Sequence, residues 1–434
     1  MKLGFSELLL ILLILLIVFG PTVIPRVQRW YRRTGARQQR AERRRAQMHA
    51  QACAARDALL TRFSVAAGIV LVGAAVIWAG YLLFAPCAFA PQRYEANAYS
   101  MQYSADSTGT SQALDISPYQ NPICVVQQDG FLYAAVDGGK VIRIRPDGTG
   151  LDEVLSTGGA VTGLGFAPDG TLYLTDAAAS GTLAGGGALL KASFDGWAVS
   201  VEPVVTTIDG RRLACPSALT IGPDGTVYFA DFSAVPASAH GLENAFDTEL
   251  LAHTATGTIY AYDPTAQKAV CVAQNIAGAG GLALDESGET LYFSETENYR
   301  VWSVAASARG ADVAAGEAKL MLDGLPGYPA GLARGEGGEI WVSVCGSRKS
   351  WVDGAAQNTL LRRIVMHLPR MTQGWLLRPE NQLGRAYAFS ADGNIAQTAI
   401  YKGEGCRGRI TGVCPTEDGW WLANADGSSL YFTA

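Results

Sequence analysis

The sequence predicts an all-β domain, a six-bladed β-propeller, that follows an N-terminal membrane region of two α-helices joined by a basic linker expected to be helical. Three observations predict it: two apolar stretches lie near the N-terminus, the charge changes sign after the second stretch, and a short two-strand motif recurs six times in the rest of the chain. The 434 residues leave room for a membrane region and one large domain.

The first apolar stretch runs from Leu8 to Phe19 and predicts a short membrane helix within residues 1–25. Gly20 and Pro21 follow it directly. They end a helix, because glycine is conformationally free and proline lacks the backbone N–H. We therefore expect a membrane hinge at Phe19, Gly20 and Pro21.

The second apolar stretch, residues 63–86, contains no charged residue and is long enough to cross a bilayer. Trp78 and Tyr81 are placed to lie near a membrane interface. A cleaved signal peptide is the competing interpretation, because "AFA" at residues 88–90 resembles a cleavage site. The apolar run is longer than a signal peptide needs, which favours a retained transmembrane helix.

The charge divides the chain into a basic part and an acidic part. Residues 1–86 hold 12 basic and 3 acidic residues, against 22 basic and 36 acidic residues in the remainder. The arginine-rich linker, residues 26–62, predicts a cytoplasmic segment with both chain ends outside. It could lie on anionic headgroups as a helix or form a solvated loop. The acidic remainder excludes a nucleic-acid partner, since phosphate binding needs a basic face.

After an extracytoplasmic linker, residues 87–113, short alternating strands flank acidic-glycine turns, as in "GLGFAPDGTLYLTDA". The turn glycines are Gly130, Gly170, Gly225, Gly288, Gly338 and Gly419. Their spacing is typical of four-stranded repeats, and six such sheets packed radially form a propeller over residues 114–434. The chain ends in a strand, "SLYFTA", so we expect the last blade to close by pairing with a strand from the start of the domain.

Four side chains are candidates for lining the central channel: Asp176, Asp231, Glu295 and Tyr328. The three acidic residues end second strands, where they could instead bind nearby backbone N–H groups. Tyr328 could instead pack against the prolines of "LPGYPAG".

An insertion at residues 233–257 is expected to cap one mouth of the channel, with His240 and His253 as surface loop residues. No cysteine spacing is typical of zinc sites. Cys406 and Cys414 could form a disulfide or remain buried thiols.

Residues 3–33, "GFSELLLILLILLIVFGPTVIPRVQRWYRR", resemble the amino-terminal part of TatA, the single-span subunit of the twin-arginine translocase. The resemblance rests on Glu7, the short apolar helix and the Phe-Gly-Pro hinge. It implies contact with membrane lipid, self-association through the first helix and an accessory role in protein export. A plain tether is the favoured alternative, because the second span should limit packing into large assemblies.

Residues 121–434 resemble the strictosidine synthase-like family, within the group that includes gluconolactonases and regucalcin. The resemblance rests on "PSALTIGPDGTVYFADFS" and "GLPGYPAGLARGEGGEIWVSVCGSRKSWVD" above all. In metal-dependent members, oxygen ligands hold calcium at the top of the channel. The matching positions here are Ile123, Ser217, Gly280 and Ala330, and the catalytic base of the plant synthases falls on Gly412.

These positions carry neither carboxylate nor amide, so no metal, no cofactor and no catalytic residue is predicted. We expect a membrane-anchored extracytoplasmic domain of a bacterial cell that binds a small molecule or protein at the propeller mouth. The alternative is an esterase or lactonase with a divergent site, in which case calcium would be expected.

Overall fold

A computed structural model describes residues 43–99, 108–109, 112–181, 183–195, 198–237, 243–378, 384–401 and 409–433. The predicted first membrane helix and the hinge at Phe19, Gly20 and Pro21 lie outside the described residues. The described residues form two compact units. One extends to Cys87 and includes His367–Gln373, and the other comprises the rest of the chain from Ala88 onward.

The first unit is built on helix α1 (Arg43–Phe84), which is 42 residues long. Its last 26 residues, Leu59–Phe84, are long and apolar enough to cross a membrane. At about 1.5 Å per residue they extend about 39 Å, which exceeds the roughly 30 Å of a hydrocarbon core. The predicted second span is therefore helical, and residues 43–62 of the basic linker continue into it as one helix.

The short segment His367–Gln373 completes this unit beside the end of α1. The ring of His367 meets the ring of Tyr81 edge-on, with centroids 5.2 Å apart. The same imidazole lies beside Cys87, with 3.8 Å between Sγ and Nδ1. This segment is thus fixed close to the last turn of the span.

The second unit is a propeller of six antiparallel sheets, the blades, numbered in chain order. Strands β1 (Thr108–Gly109) and β2 (Gln112–Asp115) precede the first blade. Blade 1 consists of β3 (Cys124–Gln128), β4 (Phe131–Val136), β5 (Lys140–Ile144) and β6 (Asp152–Ser156). Blade 2 consists of β7 (Val161–Phe166), β8 (Leu172–Ala179), β9 (Gly186–Asp195) and β10 (Ala198–Val205). A small hairpin of β11 (Thr207–Ile208) and β12 (Arg211–Arg212) follows.

The remaining blades extend the same pattern. Blade 3 consists of β13 (Pro216–Ile221), β14 (Val227–Asp231), β15 (Gly257–Asp263) and β16 (Lys268–Ile276). Blade 4 consists of β17 (Ala279–Leu284), β18 (Thr290–Glu295), β19 (Arg300–Ala305) and β21 (Lys319–Leu322), while β20 (Ala311–Asp312) pairs with β16 of blade 3. Blade 5 consists of β22 (Gly327–Arg334), β23 (Ile340–Ser347), β24 (Gly384–Phe389) and β25 (Ile395–Tyr401), with β1 on its outer edge.

Blade 6 closes the ring. It consists of β26 (Ile410–Thr416), β27 (Gly419–Asn424) and β28 (Ser429–Thr433), and its fourth strand is β2. The register pairs Gln112 with Phe432 and Asp115 with Ser429. The predicted closure by a strand from the start of the domain is therefore what the structure shows, and the propeller begins at Gln112 rather than at residue 114.

Five of the six predicted turn glycines lie between the first and second strands of a blade, and Gly419 begins the second strand of blade 6; their φ angles are between 74° and 148°. That backbone region strains any side chain with a Cβ, which explains why each repeat carries glycine there. Apolar side chains fill the space between neighbouring blades, and Phe229, Phe293, Trp341 and Phe389 are among the fully buried ones. The six-bladed fold is thus confirmed.

In the part of the propeller that the structure describes, four helices are inserted into this framework. Helix α2 (Glu243–Ala252) lies between β14 and β15 of blade 3. Helices α3 (Ser350–Gly354), α4 (Thr359–Met366) and α5 (Arg370–Leu377) lie between β23 and β24 of blade 5. None of the three helices of blade 5 was predicted from the sequence.

Residues 88–99, which we call the strap, are bound to these helices, although a simple linker was predicted there. The N–H of Gln92 donates to the carbonyl of Ala252 at 2.7 Å. Gln357 Nε2 donates to the carbonyl of Tyr94 at 2.6 Å, and Arg362 donates to the carbonyl of Gln92. The strap is therefore part of the folded domain.

Candidate functional site

The six innermost strands, β3, β7, β13, β17, β22 and β26, surround a central channel with a volume of about 2040 Å³. Helix α2 also contributes to its wall, through Glu243, Phe246 and Asp247. The insertion that was predicted to cap a mouth of the channel thus supplies residues to the channel itself.

Of the four predicted channel-lining residues, Tyr328 lies in the channel wall. Asp176, Asp231 and Glu295 are buried behind that wall, at the ends of β8, β14 and β18. Asp176 Oδ1 accepts from the N–H of Ala160 at 2.9 Å. The other carboxylates bind in the same way: Asp231 accepts from the N–H of Cys215 at 2.6 Å, and Glu295 from the N–H of Ala277 at 3.1 Å.

These three contacts share one physical cause. The end of each second strand lies beside the backbone that leads into the first strand of the same blade, whose N–H groups need acceptors. Burial raises the pKa of Asp231 to about 6 and raises the pKa of Glu295, although hydrogen bonds oppose both shifts. The carboxylates therefore join strands within a blade, which is the alternative role that the sequence allowed for them.

Tyr328 is fully buried and belongs to an aromatic group at the wall. Its ring meets Phe246 of α2 edge-on, with centroids 5.2 Å apart, and Tyr299 with centroids 5.3 Å apart. Burial raises the pKa of the Tyr328 hydroxyl. This residue thus ties the α2 insertion to blade 5 and stays uncharged at neutral pH.

The four positions that match the family's calcium ligands all lie in the channel wall: Ile123, Ser217, Gly280 and Ala330. Isoleucine, glycine and alanine side chains offer no oxygen. The Ser217 hydroxyl donates to the carbonyl of Ala279 at 2.7 Å. Calcium requires six to eight oxygen ligands, with carboxylates prominent among them, so these residues do not fit the ion.

At Gly280 the wall lacks a ligand side chain and also lacks the space for one. A Cβ there would meet the hydroxyls of Ser294 and Thr296, the latter at 2.7 Å. The Ser294 hydroxyl donates to the carbonyl of Ala330 at 2.9 Å, and the Thr296 hydroxyl donates to the carbonyl of Pro329 at 2.9 Å. Side-chain hydroxyls from blade 4 thus occupy the space that a ligand side chain at position 280 would need.

Gly412, the position that matches the base of the plant synthases, is closed in a similar way. A Cβ there would lie 3.0 Å from Cys124 Cα and 3.1 Å from the Ile123 carbonyl oxygen. Both atoms belong to the backbone of blade 1, which cannot move aside without separating blades 1 and 6. Within the described residues, no group of three or more His, Cys, Asp or Glu side chains is arranged to hold a metal ion.

Charged residues that sequence reasoning missed also line the channel: Arg409, Glu243 and Asp426. Arg409 Nη1 lies 3.6 Å from Glu243 Oε1 and 3.4 Å from Asp426 Oδ1. Arg409 immediately precedes the innermost strand of blade 6, and this position relative to the strand was the signal that could have identified it. Glu243 and Asp426 could not be identified in this way, because the sequence does not show where α2 and the loop after β27 lie relative to the channel.

His253 is buried, and its predicted surface position is wrong. Its ring stacks on Tyr94 of the strap, with centroids 3.6 Å apart. Its Nδ1 lies 3.8 Å from Glu297 Oε2, and burial lowers the pKa of His253 to about 3. The imidazole is therefore neutral at physiological pH and forms part of the strap contact. His240 lies outside the described residues.

The Cys414 thiol is buried in the channel wall, and burial raises its pKa to about 11. A thiol with so high a pKa is a poor nucleophile at neutral pH. The second cysteine of the candidate disulfide, Cys406, lies outside the described residues.

Comparisons with known proteins agree with this architecture. Residues 182–391 match the family model for the SMP-30/Gluconolactonase/LRE-like region. This middle part of the propeller is thus SMP-30/gluconolactonase-like. Residues 1–32 match the mttA/Hcf106 family model, which agrees with the TatA-like resemblance of the N-terminus.

The SMP-30/gluconolactonase-like propeller has strictosidine synthase-like relatives. Protein strictosidine synthase-like 6 of Arabidopsis thaliana is 25% identical over 222 residues, which cover 50% of this chain and 54% of the relative. The adipocyte plasma membrane-associated protein of Salmo salar is 23% identical over 265 residues, which cover 57% of this chain and 60% of the relative. The chain therefore spans little more than half the length of these relatives.

Solved structures share the fold of the SMP-30/gluconolactonase-like propeller. A gluconolactonase from Xanthomonas campestris superposes with a TM-score of 0.51 at 16% identity and covers 81% of this chain and 97% of its own. Regucalcin from Agrobacterium tumefaciens, described as a calcium-binding protein, superposes with a TM-score of 0.50 at 12% identity, over 76% and 95% of the two chains. At these identities the likeness extends to the fold alone.

Proposed function

We propose that this chain is a membrane-anchored propeller that binds a small molecule or a protein at the mouth of its channel, without metal-dependent hydrolysis. The observation that supports this proposal is the composition of the channel wall at the four positions that match the family's calcium ligands. Ile123, Gly280 and Ala330 offer no ligand oxygen there, and the Ser217 hydroxyl is bound to a neighbouring carbonyl.

The channel retains what a binding site needs. Its volume of about 2040 Å³ exceeds that of a typical small-molecule pocket, and its wall is formed by strands that the blades hold rigidly. Arg409 supplies a cation and Glu243 and Asp426 supply carboxylates. The Glu243 side chain is 76% exposed, so a ligand carboxylate could replace it on the guanidinium with little loss of packing.

A photo-crosslinking amino acid in place of Glu243 tests this proposal in intact cells. We expect a discrete adduct with a bound molecule, because the residue lines the channel. Glu202 on β10 is the matched control, since its side chain is 62% exposed and it does not line the channel. The same adduct from both positions would mean that the mouth holds no specific site.

We also propose that the propeller lies outside the cytoplasm. The basic segment before the span supports this orientation, because cytoplasmic segments retain an excess of arginine. A C-terminal fusion to a reporter that fluoresces only in the cytoplasm is expected to stay dark, whereas the same reporter fused after residue 62, ahead of the span, should fluoresce. A bright C-terminal fusion would reverse the assignment.

A further inference from the structure

Glu297 is a carboxyl group buried in the propeller. It follows β18, and its side chain has no exposure to solvent. Among the described residues, no hydrogen-bond donor reaches either of its carboxylate oxygens. A carboxylate that has lost water and gained no donor is costly in its charged form, whereas a protonated carboxyl group is neutral and requires only an acceptor. The position of Glu297 therefore favours the protonated form.

His253, the first residue after α2, offers that acceptor. Within the described part of the chain, its Nδ1 has no hydrogen-bond partner, and it lies 3.8 Å from Glu297 Oε2. A hydrogen bond between these atoms spans about 2.9 Å, so a movement of about 1 Å closes the gap. The imidazole also bonds to Asn298, whose Nδ2 donates to Glu295 Oε1 at 2.8 Å. The amide oxygen of Asn298 therefore accepts from the ring, which places the ring proton on Nε2 and leaves Nδ1 as an acceptor.

The charges around this pair favour a proton on Glu297 over one on His253. Two further buried carboxylates, Glu249 and Glu295, already accept hydrogen bonds from backbone N–H groups. Burial raises the pKa of Glu297 well above its ordinary value, and the charges of Glu249 and Glu295 raise it further, while Arg362 opposes the shift. Burial, assisted by the charge of Arg362, lowers the pKa of His253 to about 3. The groups that face the pair, or the ring stacked on it, come from the strap, α2, β18, β19, α3 and α4, and are in that order Tyr94, Glu249, Glu295, Arg300, Asp353 and Arg362.

The strap covers this pair. The Tyr94 ring stacks on the His253 ring, with centroids 3.6 Å apart, and the Arg362 guanidinium lies 5.1 Å from the centre of the Tyr94 ring. Asn97 Nδ2 donates to the carbonyl of Asn298 at 2.8 Å. The burial of Glu297 and His253 thus depends on the strap, and water reaches the pair when the strap detaches.

We propose that Glu297 and His253 form a proton-binding site that couples the docking of the strap to pH. In the docked state Glu297 carries the proton and donates it to His253 Nδ1. When the strap detaches, the solvated Glu297 releases this proton to water. Rising pH therefore favours the detached strap, which leaves the end of α2, the helix that also lines the channel. This inference goes beyond the proposed function and does not depend on what the channel binds.

The direction of the pH effect follows from the raised pKa of Glu297. The stabilisation that this group gives to the docked strap is fully present below its ordinary pKa of about 4.3, and is lost as pH rises towards the raised value. His253 is neutral both docked and detached well above its ordinary pKa of about 6.5. The range from about pH 7 to pH 9 therefore isolates Glu297 within the pair.

Trypsin cleavage after Arg93 tests the coupling with the full-length chain in nanodiscs. Cleavage requires the strap to detach, because the neighbouring Gln92 and Tyr94 are bound to the domain. Dividing the cleavage rate of the natural chain by that of Glu297→Gln at each pH removes the pH dependence of trypsin itself. We expect this ratio to rise about tenfold per pH unit until Glu297 ionises in the docked state, since one proton leaves at each detachment. Glu202→Gln, at a side chain that is 62% exposed, is the control, and its ratio should stay constant.

Infrared difference spectroscopy locates the proton. The spectrum of the natural chain minus that of Glu297→Gln at neutral pH is expected to contain the carbonyl stretch of a protonated carboxylic acid, shifted in heavy water. Glu297→Met, which also cannot ionise, should give the same band, so a folding defect in one variant does not decide the result. A carboxylate band in place of the carboxylic acid band, or a cleavage ratio that stays constant with pH, would overturn the inference.

Discussion

Gly331→Ala is expected to destabilise the propeller by about 3 kcal/mol or more, because overpacking against a rigid backbone is costly. Gly331 lies on β22, and its neighbour across the blade boundary is β26. A Cβ at this position would lie 2.5 Å from the carbonyl oxygen of Thr411 and 3.0 Å from Gly412 Cα. Neither backbone atom can move without separating blades 5 and 6.

Denaturant unfolding, followed by tryptophan fluorescence, measures this loss. Gly181→Ala is the matched control, since a Cβ at that position would have no atom within 4 Å and its φ is not in the left-handed region. The control should change the free energy of unfolding by less than about 1 kcal/mol. Equal effects of the two substitutions would show that blades 5 and 6 are not in close contact at Gly331.

Arg362→Met is expected to cost about 3 to 5 kcal/mol, which is the scale for removing one partner of a buried charged network. The guanidinium is fully buried and donates to four carbonyls. They belong to Gln92 of the strap, Leu251 of α2, and Ala355 and Ala356 after α3. Methionine fills a similar volume but removes this donor from all four carbonyls, of which only those of Ala355 and Ala356 retain a backbone N–H partner, from Asn358 and Tyr94.

The loss should appear first in the strap. Hydrogen exchange is expected to accelerate over residues 88–99 at denaturant concentrations at which the blades stay protected. Arg143→Met is the control. Its ion pair with Asp152 spans 3.3 Å and is exposed, so its removal should cost less than about 1 kcal/mol. Unchanged strap exchange in Arg362→Met would contradict the role of this arginine.

The sequence was sufficient to predict the propeller because its signals are local. An acidic residue and a glycine in a turn with positive φ, between strands of alternating polarity, recur once per blade, as at Gly170 and Gly225. The closing strand could be predicted too, because an unpaired terminal strand needs a partner. The long uncharged apolar stretch was equally evident from its composition alone, and the structure makes it helical.

The surroundings of the channel could not be predicted in the same way, because they depend on long-range contacts. Asp231 ends a strand, and the alternation pattern does not distinguish a carboxylate that faces the channel from one that binds Cys215. His253 is buried by Tyr94, which precedes it by more than 150 residues. The strap is bound in large part through its backbone, as at the carbonyls of Gln92, Tyr94 and Asn97, and such contacts leave no pattern in the sequence.

The positions that match the family's calcium ligands and catalytic base were identified through the family resemblance. The structure adds the reason why a single substitution cannot restore a ligand or a base there. Gly280 and Gly412 are in contact with hydroxyls and with backbone, so a ligand or base side chain has no space at either position. Composition could show that the carboxylates were missing, but only the packing shows that their space is filled.

The calcium content of the purified full-length chain tests the central claim most directly. After equilibration with calcium and removal of the free ion, elemental analysis is expected to find far less than one calcium per chain. Hydrolysis of aryl esters and lactones should be absent and unaffected by chelator. One calcium per chain, with ester or lactone hydrolysis that chelator abolishes, would contradict the claim and establish a metal-dependent hydrolase.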